Sequence, residues 1–268
     1  YEGVEIPGHG HVGLITYMRT DSTRISDEMI KQVRPYISET YGEDYLPAKP
    51  NVFSKSKEAQ DAHEAIRPTS LSFPPSALTG ILSRDQLRLY TLIWNRFIAS
   101  QMAPQIQQST SATLQCGIYT LKATGVHVLF DGFTIMQPSK KKDSEESDFL
   151  PPLKKGDIVK NTKVNGEQHF TAPPPRYTEA SLIKTLEEKG IGRPSTYAPI
   201  LDTIQKRRYV TKENKQFVPT EVGFKVTELL KKYFEGIINV DFTANLENWL
   251  DKIAEGKATY KKVMTVFY

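Results

Sequence analysis

Tyr17 and Arg19 stand two residues apart in the run Gly13-Leu14-Ile15-Thr16-Tyr17-Met18-Arg19-Thr20-Asp21-Ser22, and together they could attack a phosphate. A phenol titrates at roughly pH 10, so at neutral pH it is mostly protonated and a weak nucleophile. A guanidinium beside it would favour the phenolate and neutralise phosphate oxygens, gripping them in a bidentate fork that lysine cannot copy. If residues 14–18 form a strand, alternation puts Tyr17 and Arg19 on one face. A strand pair without chemistry fits the same spacing.

Two further blocks carry groups that suit phosphate. In Asp61-Ala62-His63-Glu64-Ala65-Ile66-Arg67-Pro68-Thr69, His63 could hydrogen-bond a phosphate or fix the turn before Pro68. Arg67 could reach a phosphate or hold the loop by pairing with Glu64. The third block runs from Pro174-Pro175-Arg176-Tyr177-Thr178 through Gly190-Ile191-Gly192-Arg193-Pro194-Ser195-Thr196-Tyr197-Ala198. Glycines at 190 and 192 allow close backbone approach, and Arg193, Ser195, Thr196 and Tyr197 offer a guanidinium, two hydroxyls and an aromatic plane at a helix start, where phosphates bind well. A base stacked on Tyr197 would add about 1 to 3 kcal/mol. The alternative is a capping motif with a buried tyrosine.

In order and kind the three blocks resemble the signatures of type IA DNA topoisomerases, and the Tyr-Met-Arg form is most similar to their bacterial topoisomerase I branch. The resemblance covers the chain almost end to end. It implies that Tyr17 attacks one DNA strand and keeps its 5' end as a phosphotyrosine ester while another strand passes through the gap. Resealing needs no ATP, and negative supercoils are relaxed. By the same resemblance Tyr17, Arg19 and His63 are catalytic, while Arg67, Arg176, Arg193, Ser195, Thr196 and Tyr197 contact single-stranded DNA. It also implies Mg2+ held by acidic residues of a separate N-terminal domain. No Asp-x-Asp-x-Asp cluster occurs in this sequence, so no metal ligand is expected in it, and the isolated chain is expected not to relax plasmid. His9 and His11 flank a glycine without a carboxylate cluster and read as solvated. Topoisomerase III and reverse gyrase share the chemistry, and Met18 favours the topoisomerase I branch over them. A rival of another class is a single-stranded-DNA-binding winged-helix module without covalent chemistry, in which Tyr17 is only a strand residue.

Composition is compatible with this. The chain has 268 residues, 38% hydrophobic and 25% charged, enough for two or three compact units. No apolar run approaches the ~20 residues of a spanning helix. Cys116 is the single cysteine, which excludes an internal disulfide and a cysteine-cluster zinc site and fits a reducing cytoplasm, which the resemblance implies is bacterial. The first residue is Tyr1 and no signal segment follows, so the chain reads as an excised fragment rather than a secreted precursor, and a monomer is the expected state. From Arg176 to Lys215 there are nine Lys or Arg against five Asp or Glu, an excess equal to the net charge of +4 of the whole chain. Such a concentration is expected of phosphate contacts, although a solvated helical face has the same composition.

The elements that must position these groups read as a multidomain α+β fold. Residues 1–103 are expected to be a helical domain carrying the tyrosine. Its first helix starts at Ser26 and uses Ile30, Val33, Ile37 and Tyr41, with a kink or early break at Pro35. A second starts with a capping box at Ser83-Arg84-Asp85-Gln86, uses Leu87, Tyr90, Trp94, Phe97 and Ile98, and ends before Pro104. Residues 104–173 are expected to be an antiparallel β arch with strands at 111–117, 118–124 and 158–164 and a loop over 139–148. After Pro173-Pro174-Pro175, residues 174–268 have the order of a winged helix-turn-helix. Thr178 and Ser195 cap its first two helices, Lys212 to Lys215 form the wing, and two amphipathic helices follow on Val226, Leu229, Leu230 and Tyr233 and on Phe242, Leu246, Trp249 and Ile253.

Overall fold

The computed structural model describes residues 1–18, 22–53, 64–137, 150–160 and 163–267, with residues 266 and 267 described by backbone only. These fall into two compact units, residues 1–165 and 166–268.

In the first unit, helix α1 spans Asp27–Tyr41, and the Ser26 hydroxyl accepts from the Met29 N–H at its start. Met29, Val33 and Ile37 form its buried stripe. The helix passes through Pro35 unbroken, with Pro35 exposed, where water can satisfy the carbonyl that loses its donor. Helix α2, Arg84–Ser100, begins with the expected reciprocal Ser83–Gln86 capping box and buries Tyr90, Trp94, Phe97 and Ile98. These two stripes meet Ile6, Leu14, Leu78 and Met102 in one core. A short hairpin, β1 Val4–Ile6 and β2 Gly10–Val12, pairs Val4 with Val12 and packs its apolar side on that core.

Strands β3 Ile106–Cys116 and β4 Tyr119–Phe130 form a long antiparallel ribbon, with Ala112 opposite Ala123 and Leu114 opposite Leu121. Its base is tied to the helices: Phe133 N–H donates to the Ala103 carbonyl at 2.9 Å, and the Tyr45 hydroxyl donates to Asp131 at 2.7 Å. The ribbon and the helices therefore fall in one compact unit. Described residues of 158–164 form no strand, and Ile158 is almost fully exposed; the expected loop at 139–148 lies outside the described residues.

The second unit contains α3 Glu179–Glu188, α4 Pro194–Lys206, β5 Val210–Glu213, β6 Gln216–Pro219, α5 Glu221–Tyr233, α6 Val240–Ala254 and α7 Tyr260–Phe267. Thr178 and Ser181 form a capping box at α3. The β5–β6 hairpin turns on Asn214 and Lys215, both at positive φ, the twist a two-residue hairpin demands. Phe217 at its centre is buried, and its N–H donates to the Tyr177 carbonyl at 2.7 Å, anchoring the hairpin before α3. The apolar residues of α5 are less covered than its pattern implies: Leu229 and Tyr233 are exposed. Among the described residues no helix is long and apolar enough to cross a membrane.

Candidate functional site

The first two sequence blocks, some fifty residues apart, lie against each other in the first unit. Ile15 forms an isolated antiparallel bridge with Pro68 rather than part of a strand. On either side of it, Thr16 N–H donates to the Arg67 carbonyl at 3.0 Å and Thr69 N–H to the Leu14 carbonyl at 3.0 Å. Side chains double the clip. The Thr16 hydroxyl donates to the Ala65 carbonyl at 2.8 Å and accepts from Arg67 N–H at 3.0 Å, and the Thr69 hydroxyl donates to the Gly13 carbonyl at 2.6 Å. The next residue after this clip is Tyr17.

Tyr17 is 52% exposed, and the Tyr1 ring meets it edge-on with centroids 5.4 Å apart. Beside it opens a groove of about 330 Å³ lined by Tyr1, Leu14, Met18, Leu89 and Tyr90 among others, and among the described residues no Lys, Arg or His side chain lines it. Arg19 and His63, the other two expected catalytic residues, lie outside the described residues.

Arg67 takes the second of its two readings. The residue is 9% exposed, and its guanidinium donates from Nε and Nη2 to Glu64 Oε2 at 3.1 and 2.6 Å, and from Nη1 to the Pro68 carbonyl at 2.9 Å. Glu64 also meets Arg24 at 3.5 Å, and Ala65 N–H donates to the Arg24 carbonyl at 2.8 Å. Glu64 thus fastens the second block to the chain that enters α1. Arg67 positions that loop rather than presenting a charge to solvent. Glu64 is the partner expected for Arg67, whereas Thr16 is a structural residue that its type alone did not single out; its place inside the first block was the available signal.

In the second unit the third block builds the start of α4. Its N-cap is Arg193, not Ser195. Pro194 takes the first helical position, where its missing N–H does no harm, and Thr196 three residues on accepts from Arg193 N–H at 2.8 Å. Ser195 is left exposed on the first turn, and Tyr197 is half-buried. Gly190 and Gly192 are both at positive φ, and a Cβ on Gly192 would crowd Thr196, Tyr197 and Ile200 at 3.2 to 3.3 Å. The glycine there is required by the helix's own side chains. The Arg193 guanidinium, 26% exposed, reaches Asp251 at 2.5 Å and Glu247 at 3.7 Å on α6, and Gly192 N–H donates to Glu247 at 3.2 Å. Arg176 is exposed ahead of α3.

Of the basic residues in this segment, Lys184, Lys206 and Lys212 pair with Glu188, Asp202 and Glu179. Arg207, Arg208 and Lys215 are exposed, with no ion pair among the described residues. His11 is held by Glu5 and the Glu2 carbonyl, and His9 stands edge-on to Phe73. No group of three or more His, Cys, Asp or Glu that could hold a metal ion occurs among the described residues.

A family model described as DNA topoisomerase matches residues 1–265. The fold is similar to the structure of full-length topoisomerase I from Thermotoga maritima, with a TM-score of 0.84 and 40% sequence identity over 100% of this chain. This chain spans 43% of the length of that one. A match over nearly every residue, with two of the three blocks clipped together ahead of Tyr17, shows that the chain belongs to the DNA topoisomerases, as a protein like bacterial type IA topoisomerase I.

Proposed function

We propose that this chain supplies the nucleophile and part of the DNA grip of an enzyme that cleaves one DNA strand, passes another through the break and reseals it, relaxing negative supercoils. The supporting observation is the clip between residues 13–16 and 65–69, which fixes the backbone up to Tyr17 while leaving the phenol half-exposed. A nucleophile needs that combination of a fixed base and an open approach.

In the proposed step the Tyr17 hydroxyl oxygen bonds to a backbone phosphorus and the bond from phosphorus to the 3' oxygen breaks. The phenol proton leaves as the new ester forms, and a proton arrives at the departing 3' oxygen. One phosphodiester replaces another, so the reverse attack by the 3' hydroxyl restores the strand without ATP. Arg19 neutralises the phosphate oxygens as charge develops on them, and His63 donates a hydrogen bond to the same or the adjacent phosphate. Arg176, Arg193, Ser195, Thr196 and Tyr197 hold the single strand, with Arg67 keeping the second block in place. The metal, where the reaction uses Mg2+, is held by residues outside this chain. The protein acts as a cytoplasmic monomer on the chromosome.

The test is covalent trapping. The complete polypeptide containing this chain, mixed with an end-labelled single strand and denatured, should retain label on the protein. Tyr17→Phe should abolish the adduct and plasmid relaxation yet bind the strand as well as before, because only the attacking oxygen is lost. An adduct on the Phe variant would refute the assignment. Strand binding without any adduct from the unaltered protein would favour the binding-module reading.

A further inference from the structure

We propose that Glu247 and Asp251 set the DNA affinity of the third block by occupying the groups that would otherwise hold a phosphate. This rests on the reading that Arg193 contacts DNA. Gly192 N–H and the Arg193 guanidinium are the donors at the start of α4, and each already has a carboxylate: Glu247 accepts from Gly192 N–H at 3.2 Å, and Asp251 lies 2.5 Å from Arg193 Nη2. A carboxylate offers these donors the same pair of anionic oxygens that a phosphate offers. Glu247 and Asp251 are four residues apart, so both point from one face of α6 at the same turn.

The local charge gives the sign of the effect. The Arg193 guanidinium faces two carboxylates, so a phosphate arriving beside it meets their negative charge and competes with them for the same donors. The Asp251 carboxylate has room to move. The Asp251 side chain is 50% exposed, and no residue of α6 is buried. The Arg193 side chain is 26% and that of Asp251 50% exposed, so solvent weakens their pair and a charged phosphate contact can replace it. The two carboxylates therefore compete with DNA for Arg193, and a strand that binds here releases that end of α6.

The experiment measures binding of a labelled oligothymidylate single strand by fluorescence anisotropy over a range of salt, for the unaltered protein and for Asp251→Asn, Glu247→Gln, Arg193→Ala and their pairs, with thermal midpoints alongside. Asp251→Asn should tighten binding about three- to fivefold and, as Arg193 engages a phosphate fully, steepen the log-log salt slope by roughly 0.7. Glu247→Gln keeps the acceptor for Gly192 while removing the charge and should act in the same direction, which keeps the test open if Asp251→Asn unfolds. Asp241→Asn removes the same charge ten residues earlier on α6, about 15 Å away along the axis, and should have a smaller effect. In an Arg193→Ala background the gain from Asp251→Asn should disappear. Unchanged or weaker binding by folded Asp251→Asn and Glu247→Gln, or an equal gain without Arg193, would overturn the inference while leaving the DNA contact standing. If Arg193→Ala alone leaves affinity and slope unchanged, the contact itself fails and the competition fails with it.

Discussion

Thr16→Val should loosen Tyr17 without touching it. Valine keeps the shape of threonine but loses both hydroxyl bonds, the 2.8 Å donation to the Ala65 carbonyl and the 3.0 Å acceptance from Arg67 N–H. The Thr16 N–H bond to the Arg67 carbonyl at 3.0 Å survives, so the clip weakens rather than opens. Two lost hydrogen bonds at about 1 kcal/mol each predict a destabilisation of about 2 kcal/mol. For a unit the size of residues 1–165 this lowers the thermal midpoint by about 4–8 °C. Tyr17 is the next residue, and displacing a nucleophile by about 1 Å costs on the order of a hundredfold in rate, so cleavage should fall by more than stability alone explains. Thr16→Ser restores the hydroxyl and should recover most of both losses. The assay pairs a thermal melt with the rate of covalent adduct formation below the melting range. A Thr16→Val protein with the original midpoint and cleavage rate would show that the clip does not position the tyrosine.

Gly223→Ala should destabilise the second unit strongly, because its Cβ would land on the Tyr209 carbonyl oxygen, a backbone atom held in place by the N–H of Thr220 at 3.0 Å. A melt unchanged from the parent protein would contradict that packing. The first unit should lose stability in alkali. Burial raises the pKa of Tyr90, burial and then the neighbouring Tyr36 raise that of Tyr41, and the hydrogen bond to Asp131 chiefly raises that of Tyr45. The unfolded chain ionises these phenols at about pH 10 while the folded one keeps their protons. Their contribution is thus fully present below about pH 10 and is lost as pH rises through the folded values. Denaturant midpoints that stay level or rise between pH 9 and 12 would refute this.

The sequence by itself determined the local features. Ser83 and Gln86 cap α2, Thr178 caps α3, and the stripe from Tyr90 to Ile98 goes to the core, because caps and apolar periodicity act over three or four residues and need no distant partner. The three motif blocks likewise pointed to the family before any fold was known. Where a competing local signal exists, the pattern misleads: Pro35 signals a kink or an early break, but the helix runs on through it because on an exposed face its lost bond is inexpensive, and Ser195 suits a cap, but Pro194 shifts the helix start to Arg193. Only the tertiary structure decided that Thr16 bridges to Ala65 and Arg67, that Arg67 is held by Glu64, and that Arg193 faces Asp251. Each of the long-range pairs joins residues far apart in the chain, and a guanidinium suits a carboxylate as well as a phosphate. Residue type names what such a group can bind; the neighbour that folding brings within 3 Å decides what it does bind.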